Sequence, residues 1–155
     1  MHIHELLKSA VEQRASDLHI ASGEVPALRI DGEVRRLNTE ALTGDDAKRL
    51  VYSVMNERLK AVFEEDLELD FSIGLEGLSR FRVNAFLKRG GVGAAFRLIP
   101  NDIVPLEHLE LPPVILEVAN YQRGLVLVTG PTGSGKTTTL ASLIDHINRS
   151  RRQHI

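Results

Sequence analysis

The 155-residue chain contains no cysteine and no tryptophan, and only 5% of its residues are aromatic. Without cysteine the chain can form neither disulfide bonds nor thiolate metal sites. No apolar run approaches the roughly 20 residues that a membrane-spanning helix needs, and the first residues carry neither the basic start nor the apolar stretch of a secretory signal. We therefore expect a cytoplasmic protein without an integral membrane segment.

An excess of positive charge is also missing, because 19 Lys and Arg stand against 21 Asp and Glu, for a formal net charge of -2. Domains that bind nucleic acid usually carry a marked excess of basic residues, so we expect no nucleic-acid partner. Hydrophobic residues make up 43% of the chain. At this length they suffice for one ordinary core, or for one small domain and a fragment of a second.

Helical and strand patterns alternate along the first 100 residues. The pair Asp31-Gly32, between two alternating runs, predicts a tight hairpin because both central residues of a type I′ turn need a positive φ. Thr43 and Asp46 resemble a capping box and predict the start of a helix. In chain order the predicted elements are a helix over 4–15, strands over 17–21, 27–30 and 33–37, helices after Thr43 and around 59–63, and strands over 67–73, 79–88 and 94–99.

Prolines and polar residues interrupt this periodicity between residues 100 and 113, as they do in linkers. We place the domain boundary there, with a first domain over 1–99, a linker over 100–120 and a second domain over 121–155. One or two helical turns within the linker lead to an apolar run at 125–128.

The predicted strand over 79–88 has one apolar face and one mostly polar face. Arg80 and Arg82 lie on the polar face. A two-residue turn would put Arg97 of the next strand on the same face as Arg82, whereas a three-residue turn would put it on the opposite face. Like charges paired across a ladder cost about 0.2–1 kcal/mol, so these arginines face either solvent or a bound anion. A nucleotide site on the same chain favours the anion.

Such a site follows the apolar run. The phosphate-loop pattern G-x-x-x-x-G-K-[ST] is matched at Gly130, Gly135, Lys136 and Thr137, with a strand pattern before it and a helix pattern after it. Glycines let the backbone wrap around a polyphosphate, so that N–H groups and the positive end of the helix point at its oxygens. The predicted nucleotide-binding residues are Gly130, Thr132, Gly133, Ser134, Gly135, Lys136, Thr137 and Thr138.

Two of these residues have specific roles in the expected binding of ATP and Mg²⁺. The Lys136 ammonium should lie between the β- and γ-phosphates, and the Thr137 hydroxyl should complete the shell of the metal ion. Lys136, together with Arg82 and Arg97, makes up the predicted catalytic set, because a guanidinium fork stabilises charge on a transferring phosphoryl group.

Four consecutive apolar residues at 125–128 predict a strand covered on both faces, as in a parallel sheet between helices. The helix after the loop shields only one face, and no later strand is available to pair alongside. We therefore expect the chain to be the N-terminal piece of a longer protein. The carboxylate and the water-orienting residue that hydrolysis needs usually lie on later strands. Binding without turnover is the expectation for these residues alone.

Five segments together resemble the secretion ATPases, and most of all the branch that retracts type IV pili. They are Ala15-Ser16-Asp17-Leu18-His19-Ile20, Leu28-Arg29-Ile30-Asp31-Gly32, Asp70-Phe71-Ser72-Ile73, Arg80-Phe81-Arg82-Val83-Asn84, and Gly130 through Thr139. The resemblance covers essentially the whole chain. It implies a PAS-like α+β N-terminal domain, followed by the first strand, Walker A loop and helix of a truncated RecA-like ATPase domain.

The resemblance also implies a hexameric ring at the cytoplasmic face of the inner membrane. There ATP hydrolysis removes pilin subunits and produces twitching motility, with an inner-membrane pilus platform protein as partner. Arg82 and Arg97, with Arg80 as a further candidate, sit where arginines of this family reach the nucleotide phosphates. Relatives that extend pili or drive type II secretion usually carry another domain before the segment at Asp17, which favours the retraction branch and its accessory paralogues.

Three other readings stay open at this point. A pilus assembly or type II secretion ATPase would share the same motifs. A small-molecule kinase would generally start near its phosphate loop, whereas about 100 residues precede this one. A noncatalytic nucleotide-sensing or assembly module would bind ATP without turning it over. His19, on an alternating strand, is assigned no chemistry.

Overall fold

A computed structural model describes residues 1–100, 103–121, 123–131 and 134–152 of the chain. It separates into two compact units, the first ending at residue 101 and the second starting at residue 102. Across the described ranges, no helix combines the length and the apolar character that crossing a bilayer would require.

The first unit consists of three helices and one six-stranded antiparallel sheet. The elements are α1 (Ile3–Glu12), β1 (Asp17–Ala21), β2 (Ala27–Ile30), β3 (Glu33–Arg36), α2 (Gly44–Tyr52), α3 (Glu57–Asp66), β4 (Glu68–Leu75), β5 (Ser79–Lys88) and β6 (Gly91–Ile99). The strand order in the sheet is β3-β2-β1-β6-β5-β4, so the first strand of the chain pairs with the last one at the centre.

One face of the sheet is buried in a single hydrophobic core. Alternate residues of the central strands, including Leu18, Phe81 and Phe96, are at most 1% exposed. They belong to the same cluster as Leu7 of α1 and Leu50 of α2. Each such side chain contributes about 1.5–3 kcal/mol through burial. Because strand side chains alternate, the opposite face of the sheet carries the polar residues.

Both predicted hairpins of this sheet are present. Asp31 and Gly32 have φ values of 50° and 85°, as the type I′ turn requires. Lys88 pairs with Gly91, so the connection between β5 and β6 has two residues, and Arg82 lies directly opposite Arg97. Of the two turn lengths left open by the sequence, the structure has the two-residue one, which puts both arginines on one face.

Element ends differ from the predicted ends for local reasons. α1 ends at Glu12 rather than near residue 15, since Arg14 takes up a left-handed conformation with φ 53°. β6 starts at Gly91, earlier than the predicted residue 94, because the tight turn brings Gly91 and Val92 into the ladder with β5. The hydrophobic pattern alone could not show that pairing, since glycine contributes nothing to it.

The second unit contains a 3₁₀ helix (Leu106–Leu109) and two α-helices, α4 (Val114–Val118) and α5 (Lys136–Ser150). The buried strand predicted from the apolar run at 125–128 is wrong for this structure, since residues 125–129 form no strand and Leu125 and Leu127 are 83% and 73% exposed. A strand needs neighbours to pair its backbone groups. Within the described part of the second unit, no other strand provides them.

Candidate nucleotide loop and arginine cluster

The glycine-rich loop leads directly into α5. Gly135 is the N-cap of this 15-residue helix and has a left-handed conformation with φ 83°. Glycine has no side chain with which to cap, so N–H groups of the first turn are available to an acceptor from outside the helix. Together with the positive end of the helix dipole, they favour an anion at this position.

Gly130 closes the other side of the loop. Its φ is 153°, and a Cβ built at this position would lie 2.7 Å from Oγ of Ser134. A side chain at 130 would therefore displace the Ser134 hydroxyl, which a rotation of that exposed side chain can accommodate. The positive φ is the stronger reason for glycine at 130, because other residues rarely adopt it.

The Lys136 ammonium reaches back across the loop. Its Nζ donates to the carbonyl oxygens of Gly130 at 2.8 Å and Pro131 at 2.6 Å. Both acceptors are neutral, and a phosphate oxygen forms a stronger, charge-assisted bond with an ammonium group. The geometry thus holds the lysine at the loop and leaves it free to exchange these carbonyls for a polyphosphate.

Hydroxyl groups surround the same turn. Ser134, Thr137 and Thr138 are all exposed, so their oxygens can reach a ligand or a metal ion. Among the described residues no cluster of three or more His, Asp or Glu side chains could hold a metal. The Thr137 hydroxyl and the oxygens of a bound phosphate are the kind of ligands that a hard cation such as Mg²⁺ accepts. The predicted ligands Thr132 and Gly133 lie outside the described residues.

A row of charged residues crosses the polar face of the sheet in the first unit. Arg29 of β2 lies opposite Asp17 of β1, which lies opposite Arg97 of β6, which in turn lies opposite Arg82 of β5. Asp70 of β4 pairs with Arg82 from the edge of the sheet. We call these five residues the arginine cluster.

Asp17 is the buried centre of the arginine cluster, with its side chain only 6% exposed. Its Oδ1 accepts from Nε of Arg97 at 2.9 Å, and its Oδ2 accepts from the Ser16 hydroxyl at 2.8 Å and lies 3.5 Å from Nε of Arg29. Burial by itself would raise the pKa of Asp17. The hydrogen bonds from Ser16 and Arg97 and the charge of Arg97 outweigh burial and hold this pKa below its ordinary value.

Arg82 has a different carboxylate partner. Its Nε and Nη2 donate to the two oxygens of Asp70 at 3.4 and 3.2 Å. This pair is much more open, with the side chains 63% and 52% exposed. Arg82 and Arg97, together with Asp17, Asp70 and Asn84, line one shallow cavity of about 280 Å³. Arg80 lies one row further along, opposite Ile99, and is exposed.

His19 lies next to the arginine cluster on the same face of β1. Its Nε2 atom is buried and has no hydrogen-bond partner among the described residues. Burial lowers the pKa of His19, and the charges of Arg29 and Arg97 lower it further, while Asp17 acts in the opposite direction. The imidazole is therefore held towards its neutral form.

Sequence reasoning missed the two carboxylates of the arginine cluster. It weighed solvent against a bound anion for the arginines, whereas Arg82 and Arg97 each pair with a carboxylate of the sheet. The alternating pattern at 67–73 could have placed Asp70 on one face. Asp17 could be found only by knowing that β1 pairs with β6, two segments that are far apart in the chain.

Ser142 on α5 is a second feature that the sequence pattern did not indicate. Its hydroxyl is buried and lies 2.5 Å from the carbonyl oxygen of Val104 and 2.8 Å from that of Thr138. The single hydroxyl hydrogen is shared between these two acceptors. It thereby attaches the segment before the 3₁₀ helix to α5, the helix that follows the glycine-rich loop.

A family model described as "Type II/IV secretion system protein" matches residues 1–155. The chain belongs to this family. It is 48% identical over 155 residues to the "Type IV pilus retractation ATPase PilT" of Pseudomonas aeruginosa, covering all of this chain and 45% of that relative. It is 41% identical over 148 residues to a "Twitching motility protein" of Neisseria gonorrhoeae, covering 92% of this chain and 40% of that relative.

A solved structure within the secretion family agrees with these relatives. The crystal structure of the pilus retraction motor PilT with bound ADP superposes with a TM-score of 0.83 at 48% identity, covering 96% of this chain and 43% of that one. The resemblance to pilus retraction ATPases is thereby confirmed, as is the predicted α/β fold class, which takes the form of helices and a six-stranded antiparallel sheet. The chain spans less than half the length of these relatives.

Proposed function

We propose that the chain is the nucleotide-binding N-terminal part of an ATPase that retracts type IV pili. The observation that carries this proposal is the loop before α5, where Gly135 caps the helix and Lys136 is held over the turn by two carbonyls. The 48% identity to a pilus retraction ATPase over the whole chain supports it. The crystal structure of the related motor with bound ADP supports the class of ligand.

In this proposal the loop binds ATP with Mg²⁺. N–H groups at the start of α5 and the Lys136 ammonium hold the phosphate oxygens, and the Thr137 hydroxyl, with those oxygens, holds the metal. Gly130, Thr132, Gly133, Ser134, Gly135 and Thr138 complete the loop. Bound Mg²⁺ would neutralise charge that develops on the phosphates during hydrolysis.

Arg82 and Arg97 are proposed to provide guanidinium groups for the phosphates when ATP is hydrolysed. Both arginines have exposed side chains, 63% and 69%, and line the same cavity. Positively charged donors aimed at a developing charge contribute more to the transition state than to the ground state. Turnover is proposed for the complete protein, since this chain spans less than half of its relatives.

The finer architecture follows the same resemblance. The first unit would be a PAS-like domain over residues 1–99, residues 100–120 a linker, and the segment from 121 onwards the start of a RecA-like domain. In a longer protein, residues 125–129 would pair as a strand of that domain. The complete ATPase would act as a hexameric ring in the cytoplasm, peripheral to the inner membrane, against a pilus platform protein.

A second candidate function is that of a type II secretion or pilus assembly ATPase. The family description, which covers type II and type IV systems together, favours keeping it. The distinction lies in the phenotype of cells that lack the protein. Retraction predicts loss of twitching with pili still present, whereas the alternative predicts loss of pili or of protein secretion.

The proposal is tested by Lys136→Ala in the complete protein. Removal of the ammonium should weaken binding of a fluorescent ATP analogue with Mg²⁺ by at least about tenfold, because a charge-assisted bond contributes about 1.5–3 kcal/mol. Cells that carry only this variant should lose twitching.

Lys8→Ala is the matched control. Lys8 is an exposed lysine of α1 whose ion pair with Glu12 spans 3.8 Å, so the change removes the same charge away from the loop. Binding should stay at the level of the unmodified protein. Undiminished nucleotide binding by Lys136→Ala would contradict the proposed function.

A further inference from the structure

We propose that Arg82 and Arg97 play different roles in phosphate binding, and that the carboxylate paired with each arginine determines its role. Asp17 is a positioning residue that holds Arg97 permanently oriented towards a phosphate, whereas Asp70 occupies Arg82 only until a phosphate displaces it. This inference rests on the proposed function, since it concerns how the same arginines would meet the nucleotide.

The contact between Asp17 and Arg97 leaves the two terminal nitrogens of the guanidinium free. Asp17 accepts from Nε of Arg97 at 2.9 Å, so neither terminal nitrogen of that guanidinium is used in this bond. Arg97 remains 69% exposed although its partner is 6% exposed. The carboxylate thus anchors the base of the fork, and both Nη groups can still bind an anion bidentately.

Asp17 is itself held from three sides. The Ser16 hydroxyl donates to Oδ2 at 2.8 Å, Nε of Arg29 lies 3.5 Å from the same oxygen, and Arg97 binds the other oxygen. A buried carboxylate with these partners would leave an unfavourable buried charge if Arg97 moved away. Exchange of Asp17 for a phosphate at Arg97 is therefore disfavoured.

Asp70 holds Arg82 in the opposite way. It takes both Nε and one Nη of the guanidinium, at the longer distances of 3.4 and 3.2 Å, and it is 52% exposed. Water can solvate Asp70 as soon as the pair opens, so its release has a low cost. A phosphate bound between the arginines competes for these same donors of Arg82.

The charges of the arginine cluster fit this division. Three arginines and two aspartates leave a single net positive charge, and once Asp70 has turned away the cluster carries two. Arg82 and Arg97, directly opposite each other in the ladder, would repel without their carboxylates. An arriving phosphate replaces the screening that Asp70 provided, whereas Asp17 continues to screen Arg97.

The test uses steady-state hydrolysis by the complete ATPase. Asp17→Ala should lower kcat at least about tenfold with little change in KM, since misplacing a catalytic group by about 1 Å can cost about 100-fold. Asp17→Asn keeps one acceptor oxygen, so its kcat should lie between that of Asp17→Ala and that of the unmodified protein. Asp70→Ala should instead strengthen ATP binding and lower the KM for ATP severalfold, because no carboxylate then competes with the phosphate for Arg82.

Glu33→Gln is the control for loss of a carboxylate. Glu33 forms an exposed pair with Arg35 at 3.2 Å on edge strand β3, so this change removes the same kind of ion pair from the same sheet. Its kcat and KM should stay within twofold of the unmodified protein. Ser16→Ala loosens Asp17 without emptying its position and should lower kcat by a smaller factor, which keeps the test valid if Asp17→Ala does not fold.

A double-mutant cycle separates positioning from general stabilisation. If Asp17 acts through Arg97, adding Asp17→Ala to Arg97→Ala should lower kcat no further. If Asp17→Ala lowers kcat by the same factor with and without Arg97→Ala, the inference is overturned and Asp17 has only a structural role. A loss with Arg97→Ala but none with Asp17→Ala or Ser16→Ala would overturn the inference alone. An unchanged kcat for Arg97→Ala would overturn the proposed role of the arginines and this inference with it.

Discussion

His19 occupies a partly buried position on the polar face of the sheet, where its protonation depends on its neighbours. Because burial and the nearby arginines lower its folded pKa, the neutral imidazole stabilises the fold. That contribution is present above the ordinary pKa of about 6.5 and is lost as the pH falls through the lower folded pKa. The same direction holds for Asp17, whose lowered pKa makes its contribution vanish only in acid.

The environment of His19 gives a prediction at the residue scale. An NMR titration of its ring protons should give a pKa below about 6.5. Asp17→Asn should lower this pKa further, because the Asp17 charge raises it, and Arg97→Gln should raise it. A pKa at or above the ordinary value, or a rise with Asp17→Asn, would show that the arginines and burial do not govern this histidine.

At the scale of secondary-structure elements, the sequence identified the start of α2, because a helix cap depends on hydrogen bonds between residues close together in the chain. Thr43 caps α2 as predicted, since its hydroxyl oxygen accepts from N–H of Asp46 at 3.1 Å. The carboxylate of Asp46 accepts from the same hydroxyl at 2.6 Å rather than from backbone. The predicted capping residue is confirmed, although the reciprocal bond of a capping box is replaced by one between the side chains.

Removal of this cap gives a prediction for α2. Thr43→Ala should lower the free energy of unfolding by about 1 kcal/mol, because an N–H of the first turn loses its acceptor. Urea unfolding followed by circular dichroism measures the change.

Thr39→Ala provides the comparison for the cap. Thr39 is exposed before α2, and its hydroxyl has only a long bond of 3.4 Å to the carbonyl oxygen of Glu40. The free energy of unfolding should change by less than about 0.5 kcal/mol. Equal losses for both variants would mean that the cap does not stabilise α2.

At the scale of the whole molecule, the two units differ in how much of their apolar surface is covered. The first unit buries its apolar strand residues under three helices. In the second unit Leu125, Val126 and Leu127 are all at least half exposed. The sequence pattern there predicted cover on both faces, and within the described residues that cover is missing.

The exposed run predicts an effect that depends on chain length. Leu127→Ala should change the stability of the 155-residue chain by less than about 0.5 kcal/mol, since the side chain is 73% exposed. In the complete protein, where residues 125–129 are proposed to form a buried strand, the same change should cost about 2–5 kcal/mol. Thermal and urea unfolding of both proteins would measure the two values.

Leu18→Ala is the control for this comparison between the 155-residue chain and the complete protein. Leu18 is fully buried in the first unit, so its replacement should cost about 2–5 kcal/mol in both proteins. A similar small effect of Leu127→Ala in both lengths would contradict a buried strand at 125–129 in the complete protein.

The sequence by itself determined the features that depend on neighbours in the chain. The tight turn at Asp31-Gly32 follows from the φ values that its residues tolerate, and the polar face of β5 follows from alternation along one strand. The loop from Gly130 to Thr137 was recognised from residue types at fixed spacing. These signals need no knowledge of distant segments.

Only the tertiary structure decided how distant strands meet. Asp17 and Arg97 contact each other because β1 and β6 pair at the centre of the sheet, and no local pattern records that pairing. The same pairing determines which carboxylate serves which arginine. Residues 125–129 also depend on tertiary structure, because an apolar run becomes a strand only where another strand offers it hydrogen bonds.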